Sequence, residues 1–392
     1  MLDMDQNAQS LDVQGDEQSR FSPEKISALE TPCYLFDPAI VVARHARLRS
    51  ALGTPLVVSV KANPNIDLYV RCGHAFTDGV ELASIGELNL VVGRAAVPKF
   101  VTTPALDKDL LSAAIASRAM VVLDNPQQVE LLLAFLNEYK KPVRVGLRIN
   151  AASMIGPTAS AAQTDHFGFD IPALFAARDR LLAAGAGLAG LHVYAGSYKF
   201  KDSAMALVAQ AGPLLSRFEE ALSEPLEFFN LGGGFGEDWS EDDHFVAYRR
   251  QLADLQQRIT VMHEAGRAIY HDAGAFITRV LAVKQLDGRL VAVCDGGIAQ
   301  AFLLAQTEKM MKTRRAPLLV RNGAASPQAV TAAAPVQLVG NSCNRNDVIG
   351  ELPAGTVVQP GDMLVFDRCG AYHTYSPTGF LNLRPPSRYL VS

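Results

Sequence analysis

Between about residues 44 and 280 the chain alternates short apolar runs with longer amphipathic, Ala- and Leu-rich stretches. The apolar runs are PLVVSVK (55–61), GVELAS (79–84), KFVTT (99–103), MVVLD (120–124), VRVGLRIN (143–150), GLHVYAG (190–196) and FFNLGGG (228–234). Runs this short, rich in branched apolar residues and bounded by turn formers, predict buried strands. Stretches such as ALFAARDRLLAAG (173–185) and MALVAQAGPLLSRFEEAL (205–222) predict helices between them. Regular strand–helix alternation predicts a parallel sheet. Roughly eight such units fit a closed (β/α)8 TIM-type barrel better than an open doubly wound sheet.

Beyond about residue 280 the pattern changes. VLAVKQLDGRLVAVCD, APLLVRN, VQLVGNS, GTVVQPGDMLVFD and SRYLVS are strand-like and separated by Gly, Pro and Asp turns, which predicts a C-terminal antiparallel β-domain. TPCYLFD (31–37) is also strand-like, so this domain is expected to take in an N-terminal strand. The expected organisation is a flexible lead-in over 1–28, a barrel over 44–278, and a β-domain of 29–43 with 279–392.

Of the 392 residues 49% are hydrophobic and 19% charged, and the net charge is −4. That balance suits a globular protein and offers no electrostatic reason to expect nucleic acid or an anionic membrane as partner. The chain has no run of about 18 apolar residues, and its acidic N-terminus is unlike a secretory signal, so a cytoplasmic protein is expected. Five dispersed cysteines (Cys33, Cys72, Cys294, Cys343, Cys369) without CxxC spacing argue against a disulfide framework and a structural metal site.

Four segments carry candidate chemistry. Lys61 ends an apolar strand in SVKANPN (59–65). A lysine there either snorkels to solvent or, desolvated, offers a free amine for a Schiff base. NLGGGFG (230–236) follows a strand; its glycines read as an anion-binding loop or as a tight βα turn. In EAGR (264–267), Glu264 suits a pyridinium nitrogen and Arg267 a phosphate, but the two equally suit a surface ion pair. GNSCNRND (340–347) and CGAYHTYSP (369–377) set cysteines among turn residues, either reactive or inert.

Taken in order, these motifs resemble the pyridoxal-5′-phosphate (PLP) dependent decarboxylases of the alanine-racemase-like barrel type, which include diaminopimelate, ornithine and arginine decarboxylases. The resemblance runs from TPCYLFD to FLNLRP (380–385). It implies that Lys61 holds PLP as a Schiff base, and that Glu87 is an acidic active-site residue. It places Arg148 in GLRIN beneath the ring, with HFGF (166–169) as a related segment. Ser197, Gly232, Gly233, Gly234, Arg267 and Tyr372 match phosphate contacts, and Glu264 the acid on the ring nitrogen. Cys343 matches a proton donor supplied by the partner subunit, which implies a homodimer with a shared active site.

Two departures from that family bear on the substrate. Where it carries a stacking histidine this chain has Tyr194, whose ring can stack but does not titrate near neutral pH. His192, two residues earlier, reads either as a neighbour of the site or as a core histidine. Asn344, after Cys343, replaces an acid that sits near the substrate's distal ammonium, and Arg345 adds a positive charge. DGGIAQAF (295–302) lacks the arginine of the diaminopimelate enzymes. Asn344 and Arg345 are therefore expected to meet a neutral or carboxylate-bearing far end, as in an acylated or citrate-conjugated amino acid of siderophore assembly. A primary-metabolic diaminopimelate, ornithine or arginine substrate is the alternative. A racemase is disfavoured by Pro64-Asn65-Ile66-Asp67 after KAN, and a non-catalytic PLP carrier by the residues beyond the barrel.

Overall fold

The computed structural model of the chain describes residues 21–94, 96–140, 142–156, 165–239, 244–305, 316–321, 323–327, 329–374 and 380–391. The chain forms two compact units: Asp37–Ala273 with Gly370–Tyr372, and the remainder. The second unit opens with a short helix, Pro23–Ser27, and strand β1 (Cys33–Phe36). Asp37 then caps helix Pro38–Leu52 by accepting the Ala39 and Ile40 N–H groups, which is why the first unit begins at 37 and not 44.

That unit is a closed barrel of eight parallel strands, β2 (Leu56–Ser59), β3 (Val80–Leu82), β4 (Lys99–Thr102), β5 (Met120–Leu123), β6 (Arg144–Ile149), β7 (Gly187–Val193), β8 (Phe228–Asn230) and β9 (Thr260–Ala265). Strands buried on both faces read as continuous apolar runs, and β2 and β3 are buried throughout. Polar residues end these runs and start the next helix: Ser84, Asp107, Asn125 and Asp170 each cap one with a side-chain oxygen. The interior is plugged by Val57, Phe100, Ala189, Phe228 and Met262. Gly190 leaves room for the plug, since a Cβ there would stand 2.6 Å from the Phe228 ring.

Three elements differ from the sequence reading. Lys61 lies on a 3₁₀ turn, Val60–Ala62, beyond the end of β2. Tyr194 likewise falls past β7. Strand β9, which is not among the apolar runs, carries His263 and Glu264 just before its last residue, Ala265, and these polar residues shorten the apolar signature by which a strand is read. It closes the barrel on β2 through Leu56↔His263 and Val57↔Glu264.

The second unit continues with β10 (Gly274–Leu286), β11 (Arg289–Cys294), β12 (Leu318–Val320), β13 (Val330–Thr331), β14 (Val336–Val339), β15 (Val348–Leu352), β16 (Val357–Val358), β17 (Met363–Phe366) and β18 (Ser387–Leu390). Its sheet runs β12-β17-β10-β11-β14-β15, with β1 beside β10 and β18 beside β1. Pairing is antiparallel except for β1 with β18 and β11 with β14. The barrel unit ends at Ala273, not 278, because Gly274 already opens β10 against β1. Residues 1–20 of the expected lead-in lie outside the described residues. Its last part is built into the sheet unit, where Phe21 and Ile26 pack with Cys33, Ile277 and Val365. No helix among the described residues is long and apolar enough to cross a membrane.

Candidate active site

A cavity of about 320 Å³ opens at the C-terminal ends of the barrel strands, where Lys61, Glu81, Arg148, His192, Glu264 and Arg267 line it. This is the end of a barrel at which strand-end side chains converge.

Lys61 Nζ donates to Glu81 Oε2 at 2.6 Å, with the Glu81 side chain buried. Burial works to lower the lysine's pKa, but the carboxylates of Glu81 and Glu264 outweigh it and hold the ammonium above its ordinary value. Desolvation therefore does not free this amine, contrary to the reading from the strand alone. Glu81 was missed in the sequence, although a carboxylate inside the apolar run GVELAS was its signal. Glu87 is not among the cavity-lining residues. Its carboxylate accepts the Ala83 N–H at 2.7 Å and its own N–H bonds Ser84 Oγ at 3.2 Å, so it closes the start of helix Ile85–Val91.

Glu264 Oε1 accepts from Asn230 Nδ2 at 2.7 Å and lies 3.5 Å from His192 Nε2. Burial pushes its carboxyl up, but His192, Lys61 and Asn230 together hold it below the usual carboxylate range, so it is an ionised buried acid. His192 is itself buried and lines the cavity, with its Nε2 facing Glu264 and no hydrogen-bond partner at Nδ1 among the described residues. Arg148 Nη1 bonds Asp124 at 3.2 Å, and its guanidinium lies 4.3 Å from the Phe167 ring centre. The HFGF segment packs against Arg148, its Phe169 N–H donating to Arg148 O at 2.9 Å.

Tyr194, Ser197, Gly234, Arg267 and Tyr372 also line the cavity. The Tyr194 hydroxyl and Ser197 Oγ are 3.2 Å apart. The glycine run divides its work. Gly234 borders the cavity at φ 91°, whereas Gly232 and Gly233 are not among its lining residues. At Gly233 a Cβ would stand 2.0 Å from the Glu264 carbonyl oxygen, so only glycine lets the β8 and β9 ends meet there.

Cys343, Asn344 and Arg345 lie in the sheet unit on the loop between β14 and β15. Asp347 shapes that loop by accepting from Ser342 N–H, Ser342 Oγ and Ile298 N–H. Asn344 Oδ1 accepts the Asn346 N–H at 2.9 Å. Of the five cysteines Cys343 is exposed and the rest are buried. Among the described residues no cluster of His, Cys, Asp or Glu is placed to hold a metal ion.

An amine, an ionised buried acid and an unpaired guanidinium now share one barrel mouth. Residues 39–278 match the family described as pyridoxal-dependent decarboxylase, pyridoxal binding domain. The chain belongs to this family. It is a PLP-dependent amino-acid decarboxylase, a carboxy-lyase. The cavity's chemistry suits that cofactor, since an amine (Lys61), an ionised acid (Glu264), a guanidinium (Arg267), a hydroxyl (Ser197) and a glycine backbone (Gly234) line it together. The enzyme is 27% identical over 386 residues to the L-glutamyl-[BtrI acyl-carrier protein] decarboxylase of Niallia circulans, covering 92% of this chain and 89% of that one. It is 26% identical over 322 residues to the 2-[(L-alanin-3-ylcarbamoyl)methyl]-2-hydroxybutanedioate decarboxylase of Staphylococcus aureus, covering 76% and 78%. Its fold resembles diaminopimelate decarboxylase of Helicobacter pylori complexed with L-lysine, with TM-score 0.77, 18% identity, and coverage of 94% and 93%.

Proposed function

We propose that the enzyme removes the α-carboxylate of an amino acid presented as a conjugate, with a neutral or acidic far end, in specialised siderophore-type biosynthesis. The observation that carries this reading is the state of the cavity's acids. Glu81 is engaged by Lys61, and Glu264 by Asn230 and His192. Among the described residues no other carboxylate lines the cavity to meet a distal ammonium. Asn344 and Arg345 stand where related diamine-forming enzymes have an acid. The two relatives above are named for a glutamyl group on an acyl carrier protein and for an alanyl group joined through a carbamoyl to a hydroxybutanedioate.

Bound PLP supplies the electron sink for the pair left when the Cα–carboxylate bond breaks. Lys61 is the anchoring amine, and Glu81 holds its ammonium when it is free. Glu264, ionised, favours a proton on the ring nitrogen. Arg148, fixed by Asp124 and Phe167, orients the ring, and Tyr194 offers it an aromatic face. Ser197, Gly234, Arg267 and Tyr372 bind the phosphate. Among the described residues no thiol lines the cavity; in this reading the exposed Cys343 of a second copy, in a homodimer, delivers the proton to Cα from its Sγ–H.

Borohydride reduction with peptide mapping tests the anchor: a pyridoxyl group on a lysine other than Lys61 would sink it. CO2 release is then screened across free amino acids and their citryl or acyl conjugates. Efficient release from free meso-diaminopimelate would overturn the conjugate reading in favour of the primary-metabolic alternative.

A further inference from the structure

Arg267 lies over the faces of two tyrosine rings. Its guanidinium carbon is 5.0 Å from the centre of the Tyr198 ring and 4.9 Å from that of Tyr372. Among the described residues no carboxylate pairs with it. A guanidinium stacked on aromatic faces retains its in-plane N–H donors, and that planar fork matches two oxygens of an oxyanion.

Both tyrosines adopt a left-handed backbone, with φ 62° at Tyr198 and 65° at Tyr372. This conformation is disfavoured for any residue with a Cβ and persists where the surroundings enforce it. Tyr372 is held by its N–H to Ala62 O at 2.7 Å, and the Tyr198 hydroxyl bonds Glu237. Tyr198 remains 46% exposed, so core burial does not account for a large ring at a strained position.

We propose that Tyr198 is a positioning residue for oxyanion binding: with Tyr372 it holds the Arg267 guanidinium flat and presents its donor edge to the cavity. The oxyanion is the cofactor phosphate or a substrate carboxylate, which offer the same pair of acceptors. The inference rests on the PLP reading of this cavity.

The test uses the full-length apoenzyme with Tyr198→Ala and Tyr198→Phe, titrated with PLP, with pyridoxal, which lacks the phosphate, and with inorganic phosphate in competition. The Ala variant is expected to bind PLP and phosphate about 2- to 30-fold more weakly while pyridoxal binding holds, and Phe is expected to restore both. If PLP binding holds but substrate KM rises by a similar factor at constant kcat, the clamp stands and its anion is the substrate's. Equal losses for PLP and pyridoxal, or no change in any of the four quantities, would overturn it. A wild-type protein that binds no PLP would instead overturn the cofactor reading. Tyr198→Gly, which accepts a positive φ without strain, is expected to keep its Tm and still lose the phosphate preference. A Gly variant that retained that preference would also refute the clamp.

Discussion

Lys61 Nζ stands 2.6 Å from Glu81 Oε2, a pair between a buried carboxylate and an ammonium that borders the cavity. A neighbouring carboxylate favours the charged amine, so Glu81→Gln is expected to lower the pH at which Lys61 becomes nucleophilic, by about one unit. Trinitrobenzenesulfonate labelling of the apoenzyme across pH, mapped to Lys61, reads this directly. Identical profiles for variant and wild type would show that Glu81 does not control the amine.

His263 is fully buried in β9, with Nδ1 2.8 Å from Thr54 Oγ1 and Nε2 2.7 Å from the Tyr248 hydroxyl. Burial pushes its pKa down to about 3, against a weaker opposing pull from Glu264. The unfolded histidine takes up a proton near 6.5 that the folded one refuses. Stability from this group is thus complete above that pH and is lost as pH falls towards the folded value, by up to about 1.4 kcal/mol per pH unit. Urea unfolding between pH 7.5 and pH 5 measures the slope, and His263→Gln should flatten it. That window avoids Glu264, whose lowered pKa puts its own loss at more acidic pH.

Gly233 leaves no space for a methyl group beside the Glu264 carbonyl. Gly233→Ala should shift the end of β9, cost about 1–3 kcal/mol of stability, and disturb Glu264, the acid proposed for the ring nitrogen. Thermal unfolding and PLP saturation should both fall. A variant with wild-type Tm and full PLP occupancy would contradict the close approach.

The proposed shared active site predicts complementation. Lys61→Ala and Cys343→Ala should each be nearly inactive as homodimers. Mixed one to one with subunit exchange, they should recover roughly a quarter of wild-type activity, because half the dimers are mixed and each has one intact site. No recovery despite verified exchange would place both residues in sites built from a single subunit.

Much of the architecture was legible in the chain. Apolar runs such as MVVLD and VRVGLRIN are buried between helices, and that environment leaves a continuous apolar signature. Lys61, Glu264, Arg267 and Tyr372 sit in short motifs whose order along the chain pointed to one cavity, and the structure places all four on its lining. Less was legible where polar residues are satisfied inside the fold. Strand β9 leaves no clean apolar run because His263 and Glu264 occupy positions just before its end, although both are buried and bonded.

The sequence by itself determined the alternation that makes a barrel, and placed Lys61, the glycine run and Glu264 as candidates in their motifs. Only the tertiary structure decided which carboxylate Lys61 meets. Glu81 and Glu87 are six positions apart in one strand–helix unit, and local pattern cannot rank them. The strand directs Glu81 into the cavity, while the helix start takes Glu87 for its own N–H groups. The same holds for Arg267, whose neighbours Tyr198 and Tyr372 are distant in the chain and meet it only once the barrel closes. Side-chain partnership across strands depends on closure and register, which no single segment encodes.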